Sequence, residues 1–341
     1  MTGIRVGVLG AGRMGAFRAR LLAANPAVSE VFIADLAPER AWAARTTGVR
    51  ALPDVPAVFA EQPDAMVVAS ATDAHSELVR RCIAAAIPCF CEKPLALEVG
   101  ETRLLRDLVH ETGARLQVGF QRRFDREFQY VRRQATAGHL GVLRRLHLTS
   151  ADAEPPPPSF LEVSGGIFRD LSVHDFDMAR WVTSREVLTV QVFGSDAGTP
   201  AMAALGDVHN AVCLLVLDGD VMGTLHASRD NGGGHDVRLE LAGTRGTAVA
   251  GLGPGTPLRS VDSALVAHFG ASWSGFLERF APAYAREMEA FVDFVVGGGD
   301  SPCGVDDAFE AMCVAVAAQR SLRTGQPVPV AEVRNPDSAS V

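Results

Sequence analysis

The chain has 341 residues, more than a single hydrophobic core comfortably holds, and 48% of them are hydrophobic against 21% charged, so a two-domain globular protein is predicted. A net charge of −8 excludes the basic face that a nucleic-acid partner requires; Arg122 and Arg123 are a pair, not a patch. No apolar run reaches the length of a membrane span, and the first strand starts too early to leave room for a cleavable signal. The six cysteines are scattered with no second ligand cluster, so a cytoplasmic protein with reduced thiols and no metal is expected.

Ile4 to Leu9 is predicted as a short buried strand, and it runs into Gly10-Ala-Gly-Arg-Met-Gly15, a G-x-G-x-x-G turn. Met14 to Ala24 reads as a helix closed by Asn25-Pro26, and the next apolar run, Val28 to Ala34, ends at Asp35. Each glycine of the turn has a mechanical use. Gly10 makes the bend, Gly12 admits a pyrophosphate against the backbone, and Gly15 lets the helix pack on the strand. The helix start, with Arg13 and Met14, offers N–H groups and a positive dipole end to phosphates. Asp35, twenty residues past Gly15, stands where a carboxylate takes the ribose hydroxyls. It would repel a 2′-phosphate, so NAD is expected in preference to NADP, and Arg13 and Arg40 are read as solvated helix arginines.

Strand and helix keep alternating through strand Asp64–Ser70, helix Ala74–Ala86, strand Pro88–Cys91, helix Glu98–Thr112 and strand Arg115–Phe120. The pattern predicts an α/β architecture with a doubly wound parallel Rossmann sheet over residues 1–122. Ligands bind such sheets at the carboxyl ends of the strands. That rule selects the loop Thr72-Asp-Ala-His75 and the turn Glu92-Lys93-Pro94. Pro94 restricts the backbone before it, so the direction of Lys93 is defined.

From about Phe124 the pattern changes. Asp125–Ala137 reads as a charged amphipathic helix ended by Gly138 and Gly141, Leu143–Ala153 as an alternating strand, and Pro155–Pro158 as a rigid extended stretch. Gly165 to Trp181, GGIFRDLSVHDFDMARW, is the segment richest in chemistry. Asp170 and His174 lie four apart, so on a helix they share a face with Asp177 and Trp181. A carboxylate beside an imidazole fixes its tautomer and raises its basicity. Strand-like runs at Val187–Phe193, His209–Leu217, Val221–Arg229, Asp236–Ala242 and Thr247–Ala250 predict a large, mostly antiparallel open sheet. Two helices, about Ser274–Val296 and Val305–Thr324, complete an α+β domain over residues 123–330, and residues 331–341 read as a loose tail. Helices on one face leave the other face of the sheet to be buried, which predicts a homodimer or tetramer through it.

In this order and with these separations, GAGRMG, CEKPLA, GFQRRFD and GGIFRDLSVHDFDMARW resemble the Gfo/Idh/MocA oxidoreductase family, and most closely its inositol 2-dehydrogenases. The stretches Ser228–Arg238 and Arg279–Phe291 extend the resemblance over nearly the whole chain. It implies an NAD-dependent enzyme that oxidises a secondary hydroxyl of a cyclic polyol, foremost myo-inositol to 2-keto-myo-inositol. The family's catalytic lysine falls on Lys93, and its aspartate and histidine on Asp170 and His174, with His174 as the base. Arg123 or Arg122, together with Asp152, would contact substrate. Gly10, Gly12, Arg13, Met14, Gly15, Asp35, Thr72, His75 and Glu92 would contact the cofactor. Many inositol dehydrogenases carry a tyrosine in a Y-G-Y-D stretch where this chain reads Gly233-Gly234-His235-Asp236; His235 keeps a polar group there, loses an aromatic wall, and joins the substrate set. Two alternatives stand beside this reading. One is the same chemistry on another sugar, inositol epimer or amino-polyol; the other is a non-catalytic dinucleotide-binding regulator, against which the retention of Lys93, Asp170 and His174 speaks.

Overall fold

Short apolar runs without polar alternation need cover on both faces, and the first third of the chain meets that need with a parallel sheet. In the computed structural model, which describes residues 3–197, 200–258 and 270–335, strands β1 (Ile4–Leu9), β2 (Val28–Ala34), β3 (Val49–Ala51), β4 (Ala65–Val68), β5 (Cys89–Glu92) and β6 (Leu116–Gly119) pair in the order β3-β2-β1-β4-β5-β6. Every pair is parallel. The order reverses between β1 and β4, so the crevice at their carboxyl ends is the switch point where doubly wound sheets take ligands. Helices α1 (Arg13–Ala23), α2 (Pro38–Ala43), α3 (Val55–Ala60), α4 (His75–Ala84) and α5 (Val99–Thr112) make the crossovers. β3, α2 and α3 were not anticipated, because each is too short to show a period.

Longer strands with alternating burial form the second sheet. These are β7 (Leu143–Ala151), β8 (Val187–Ser195), β9 (Asn210–Leu217), β10 (Val221–Ser228), β11 (Asp236–Gly243), β12 (Thr247–Ala250) and the two-residue β13 (Val328–Pro329). The order is β12-β11-β7-β10-β9-β8-β13. Its one parallel pairing joins β7 to β10, with Ser150 opposite Ala227 and Ala151 opposite Ser228; the others are antiparallel. Helices α6 (Arg126–Thr136) and α9 (Val173–Thr183) accompany this sheet, together with the short α7 (Pro158–Leu161), α8 (Ile167–Asp170) and α10 (Pro200–Leu205). Its outward residues include Leu188, Phe193, Leu214 and Met222, all exposed, with Phe193 at 59% and Met222 at 54%. The sheet therefore carries an open, partly apolar face.

The chain divides into two compact units, Met1–Gln121 with Tyr284–Phe309, and Arg122–Ala283 with Glu310–Val341. The linear boundary drawn from sequence at residue 122 therefore omits a returning segment. Helix α11 (Phe276–Gly297) sends Met288, Phe291 and Val292 into the core of the parallel sheet beside Val6, Val8, Val31, Val67 and Phe90, and the Phe90 and Phe291 rings lie 5.7 Å apart at an interplanar angle of 65°. Helix α12 (Val305–Thr324) follows, and the expected loose tail begins as a helix, α13 (Ala331–Arg334), held by buried Val330 and Val333 and by an Arg334–Glu310 ion pair at 2.6 Å. Residues 336–341 of that tail lie outside the described residues.

One further correction concerns Gly165–Trp181. It forms two short helices, α8 and α9, not one. The Ser172 amide reaches back to the Ile167 carbonyl at 2.9 Å, one residue further than an α-helical bond, and α9 restarts with Asp175 and Phe176 amides on the Ser172 carbonyl. Asp170 ends one helix and His174 lies in the first turn of the next.

The glycine turn gives a test of the local geometry. A Cβ on Gly15 would collide with the Gly10 carbonyl oxygen, whereas a Cβ on Gly12 would meet nothing within 4 Å. Gly15→Ala is expected to lower the thermal unfolding midpoint by roughly 4 °C or more, the size associated with forced backbone shifts. Gly12→Ala should leave it within about 1 °C, as surface-type changes do. Differential scanning fluorimetry of the two purified variants decides; equal midpoints would refute this account of the turn.

Candidate active site

In the first unit the turn after β1 is built as a phosphate cradle requires. Gly10 has φ +103°, and a side chain there would crowd the Ala69 carbonyl and Ser70 amide at 2.6 Å. Gly12 is the N-cap of α1, and the space over it is open. The exposed Arg13 and half-buried Met14 follow at the helix start. Asp35 reaches this turn from the end of β2. Its Oδ2 accepts from the Ala11 amide at 2.6 Å and its Oδ1 from the Ala37 amide at 2.9 Å, while Arg40 Nη1 stands 4.0 Å from Oδ1. The carboxylate thus braces the glycine turn.

Two strand ends further along, β4 leads into a 3-10 turn at Thr72–Ala74 and β5 into Glu92-Lys93-Pro94. His75 ties the two together. Its ring is buried, with Nδ1 2.9 Å from the Pro94 carbonyl and Nε2 3.2 Å from the Ser70 carbonyl. Burial pulls its pKa below the usual histidine value despite both carbonyls. The neutral ring has one N–H, so it donates to one of these oxygens at a time. His75 therefore fixes the geometry of the lysine turn. Glu92 accepts from Arg18 Nε at 2.6 Å, and Lys93 is half-buried. Lys93 is also the only lysine in the sequence; every other cationic side chain besides histidine is arginine.

In the second unit, the parallel pairing of β7 with β10 brings two strand ends side by side. The Asp152 amide donates to the Ser228 carbonyl at 3.0 Å, and the Asn231 amide to the Asp152 carbonyl at 2.9 Å. Arg229 directly follows β10. It is fully buried, its Nη1 donating to Asp170 Oδ2 and its Nη2 to Asp207 Oδ2, each at 3.2 Å. Asp207 Oδ1 in turn accepts the Ile167 amide at 2.9 Å, at the start of α8. His235 lies on the other side of Asp152, with Nδ1 3.4 Å from Asp152 Oδ1 and its ring edge-on to Phe280. His235 is 3% exposed, and neither ring nitrogen has a hydrogen-bond partner among the described residues. Asp152, Asp170 and His235 are thereby gathered at one end of the sheet, with Arg229 as the link.

Arg122 and Arg123, expected as substrate contacts, have their charges met within the unit. Arg122 Nη1 donates to Asp175 Oδ1 at 2.6 Å, and the same oxygen accepts from Ser150 Oγ at 2.7 Å. Burial pushes the Asp175 pKa above its ordinary value, with Arg122 and Ser150 opposing the shift. Arg123 makes a two-pronged contact with fully buried Asp177, its Nε at 2.9 Å from Oδ2. These pairs fix α9 just after His174, which is 8% exposed. The pairing has a simple cause: Asp175 and Asp177 are both fully buried on α9, and buried carboxylates demand cations. Arg229 and Asp207 were missed altogether. Their only sequence signal was an arginine closing an alternating strand, Val221–Ser228.

Among the described residues, no group of three or more His, Cys, Asp or Glu is arranged to hold a metal ion, and no helix is long and apolar enough to cross a membrane. All six cysteines are free thiols and buried.

Comparison with known proteins accords with this geometry. Residues 4–120 match the oxidoreductase family with an NAD-binding Rossmann fold, and residues 128–249 match the Gfo/Idh/MocA C-terminal domain. A myo-inositol dehydrogenase of Streptomyces leeuwenhoekii is 37% identical over 332 residues, covering 96% of this chain and 99% of the relative. The crystal structure of a myo-inositol dehydrogenase from Corynebacterium glutamicum superposes with a TM-score of 0.87 at 30% identity, covering 96% of this chain and 98% of that one. A scyllo-inositol dehydrogenase from Lactobacillus casei, solved with bound NAD(H) and scyllo-inositol, gives 0.86 at 25% identity, covering 96% and 99%. The open backbone over Gly12 and the carboxylate of Asp35 fit the pyrophosphate and ribose of NAD. With its two domains matched in order and its glycine turn built for a dinucleotide, the chain belongs to the Gfo/Idh/MocA family and is an NAD-dependent oxidoreductase.

Proposed function

We propose that the protein oxidises a secondary hydroxyl of a cyclic polyol, with myo-inositol to 2-keto-myo-inositol as the leading reaction. The observation that carries this reading is the cluster at the ends of β7 and β10. It presents the carboxylates of Asp152 and Asp170 together with a buried imidazole, His235, whose two nitrogens make no hydrogen bond among the described residues. A ring bearing several hydroxyls supplies the donors and acceptors such a set needs, and an apolar substrate does not.

Bound NAD supplies the hydride acceptor. His174 takes the proton of the reacting hydroxyl, since an imidazole is the side chain suited to proton transfer near neutral pH. Asp170 orients that ring and stabilises the imidazolium that forms. Arg229 holds the Asp170 carboxylate in place. Lys93 hydrogen-bonds the reacting oxygen and stabilises its developing negative charge. In a chain that uses arginine for every other such cation, a lone lysine supports a need for the compact amine itself, which gives up a proton far more readily than a guanidinium. Asp152 and His235 hold the remaining hydroxyls. The open face of the second sheet, with Phe193 and Met222 exposed, supports assembly of a homodimer or tetramer through that face.

Three experiments test this reading. NADH absorbance is followed with myo-, scyllo- and chiro-inositol, glucose and amino-polyols. Turnover of an inositol is expected, with Lys93→Ala lowering kcat by about a hundredfold or more and Asp170→Asn by about 10²–10⁴-fold, both without loss of NAD affinity. Near-wild-type kcat in Lys93→Ala, or a loss confined to NAD affinity in Asp170→Asn, would refute the assigned roles. Asp35→Ala should raise the ratio of kcat/KM with NADP to that with NAD by roughly tenfold, as expected when one like charge near a phosphate is removed; an unchanged ratio gives cofactor selection to another residue. Light scattering should find a multiple of the chain mass, and Met222→Glu should shift it toward the monomer; a monomeric wild type would refute assembly.

A further inference from the structure

Arg18 is an arginine in the middle of α1 with no exposed surface. Its Nε donates to Glu92 Oε1 at 2.6 Å, and its Nη1 lies 2.7 Å from Glu287 Oε2. Its guanidinium stacks over Phe90 at 4.3 Å and over Tyr284 at 5.1 Å. Glu287, fully buried, comes from α11, in the segment that returns to the first unit. Gly119 on β6 leaves the room that this arrangement needs, since a Cβ there would sit 3.0 Å from Glu92 Oε2 and 2.8 Å from the Phe90 ring.

Three buried charges are a costly way to hold a helix to a sheet. Apolar side chains of similar volume commonly serve stability as well or better, so what a buried ion cluster contributes is orientation. The group oriented here is Glu92, whose chain neighbour is Lys93. On the other side of the lysine, His75 holds the Pro94 carbonyl. The backbone of Lys93 is thus fixed from both flanks, by a side chain before it and a carbonyl after it.

We propose that Arg18 is a positioning residue for Lys93: it grips Glu92 on one side and is itself anchored by Glu287 on the other, so that a residue nearly two hundred positions downstream in the sequence sets where the lysine amine stands. The inference rests on the reading above in which Lys93 meets the reacting oxygen. Burial, with Arg18 opposing and Glu92 adding to it, raises the Glu287 pKa to about 7, and Arg18 is raised because the two glutamates outweigh its own burial. The cluster therefore keeps its cation at every working pH.

The lone lysine allows a readout that does not depend on knowing the substrate. Reductive ¹³C-methylation of the holoprotein labels one side-chain amine, Lys93, besides the N-terminus. Its NMR shift and titration midpoint are compared in the wild type, in Glu287→Gln, and in the double variant Arg18→Met/Glu287→Met. The double variant removes the Arg18–Glu287 pair together and keeps its volume, leaving Glu92, 9% exposed at the edge of the cluster, to be met by water. Both variants are expected to move the Lys93 signal and its midpoint while each stays folded and still binds NAD. With an inositol substrate, kcat of the unmodified double variant should fall by about ten- to a hundredfold, with KM within about twofold, as a small displacement of a catalytic group produces. An unmoved Lys93 signal in a folded variant overturns the inference. If the signal moves and Lys93→Ala still turns over normally, the role of Lys93 is wrong and its anchoring stands. If Lys93→Ala is inactive and the double variant keeps wild-type kcat, the anchoring by Arg18 is wrong and the role of Lys93 stands.

Discussion

A charge taken fully out of water must be met by opposite charge, and Arg229 imposes that demand at the end of β10 in the second unit. Its fork spans Asp170 and Asp207, and Asp207 also caps the start of α8, so one guanidinium fixes both ends of a four-residue helix that has almost no stability of its own. A lysine would not serve, since a single ammonium lacks the planar fork that reaches two carboxylates at fixed angles. The parallel pairing of β7 and β10 then decides what stands beside this fork. Parallel strands end on the same side, so Asp152 after β7 and Arg229 after β10 become neighbours by topology alone.

The same economy recurs on α9. Asp175 and Asp177 face inward and are held by Arg122 and Arg123, and Ser150 on β7 shares the Asp175 carboxylate. His174 directly precedes the anchored Asp175, so its ring is carried on a backbone held at the next residue. In the role of base proposed for His174, such rigidity matters, because small displacements of a catalytic group cost large factors in rate.

The sequence showed most where the signal is local. The glycine turn, its helix and Asp35 lie within one βαβ unit, and their spacing alone defines a dinucleotide site. Strands with clean alternation, such as Val221–Ser228, were also legible. The break between α8 and α9 was not, because every residue from Ile167 to Ser172 is tolerable in a helix; what ends the helix is the tertiary grip on Asp170 and Ile167. The destinations of Arg122, Arg123 and Arg229 were equally hidden. Their partners are 53, 54 and 59 residues away, and composition cannot say which of many acids will be buried with which arginine.

The return of Tyr284–Phe309 to the parallel sheet has a bearing on how the molecule divides. A gene segment ending at residue 121 encodes every strand of the dinucleotide-binding unit and still does not encode the unit. It lacks Phe291, which covers Phe90, and Glu287, which balances Arg18. Such a fragment would expose an aromatic patch beside an under-paired buried cation, an aggregating species and not a separable module. Nor is the part between a self-contained insert, since its boundaries at Arg122–Ala283 leave Glu310–Val341 behind. Swapping either half between relatives therefore requires exchanging discontinuous pieces, and recombination at the single apparent boundary would break both cores at once.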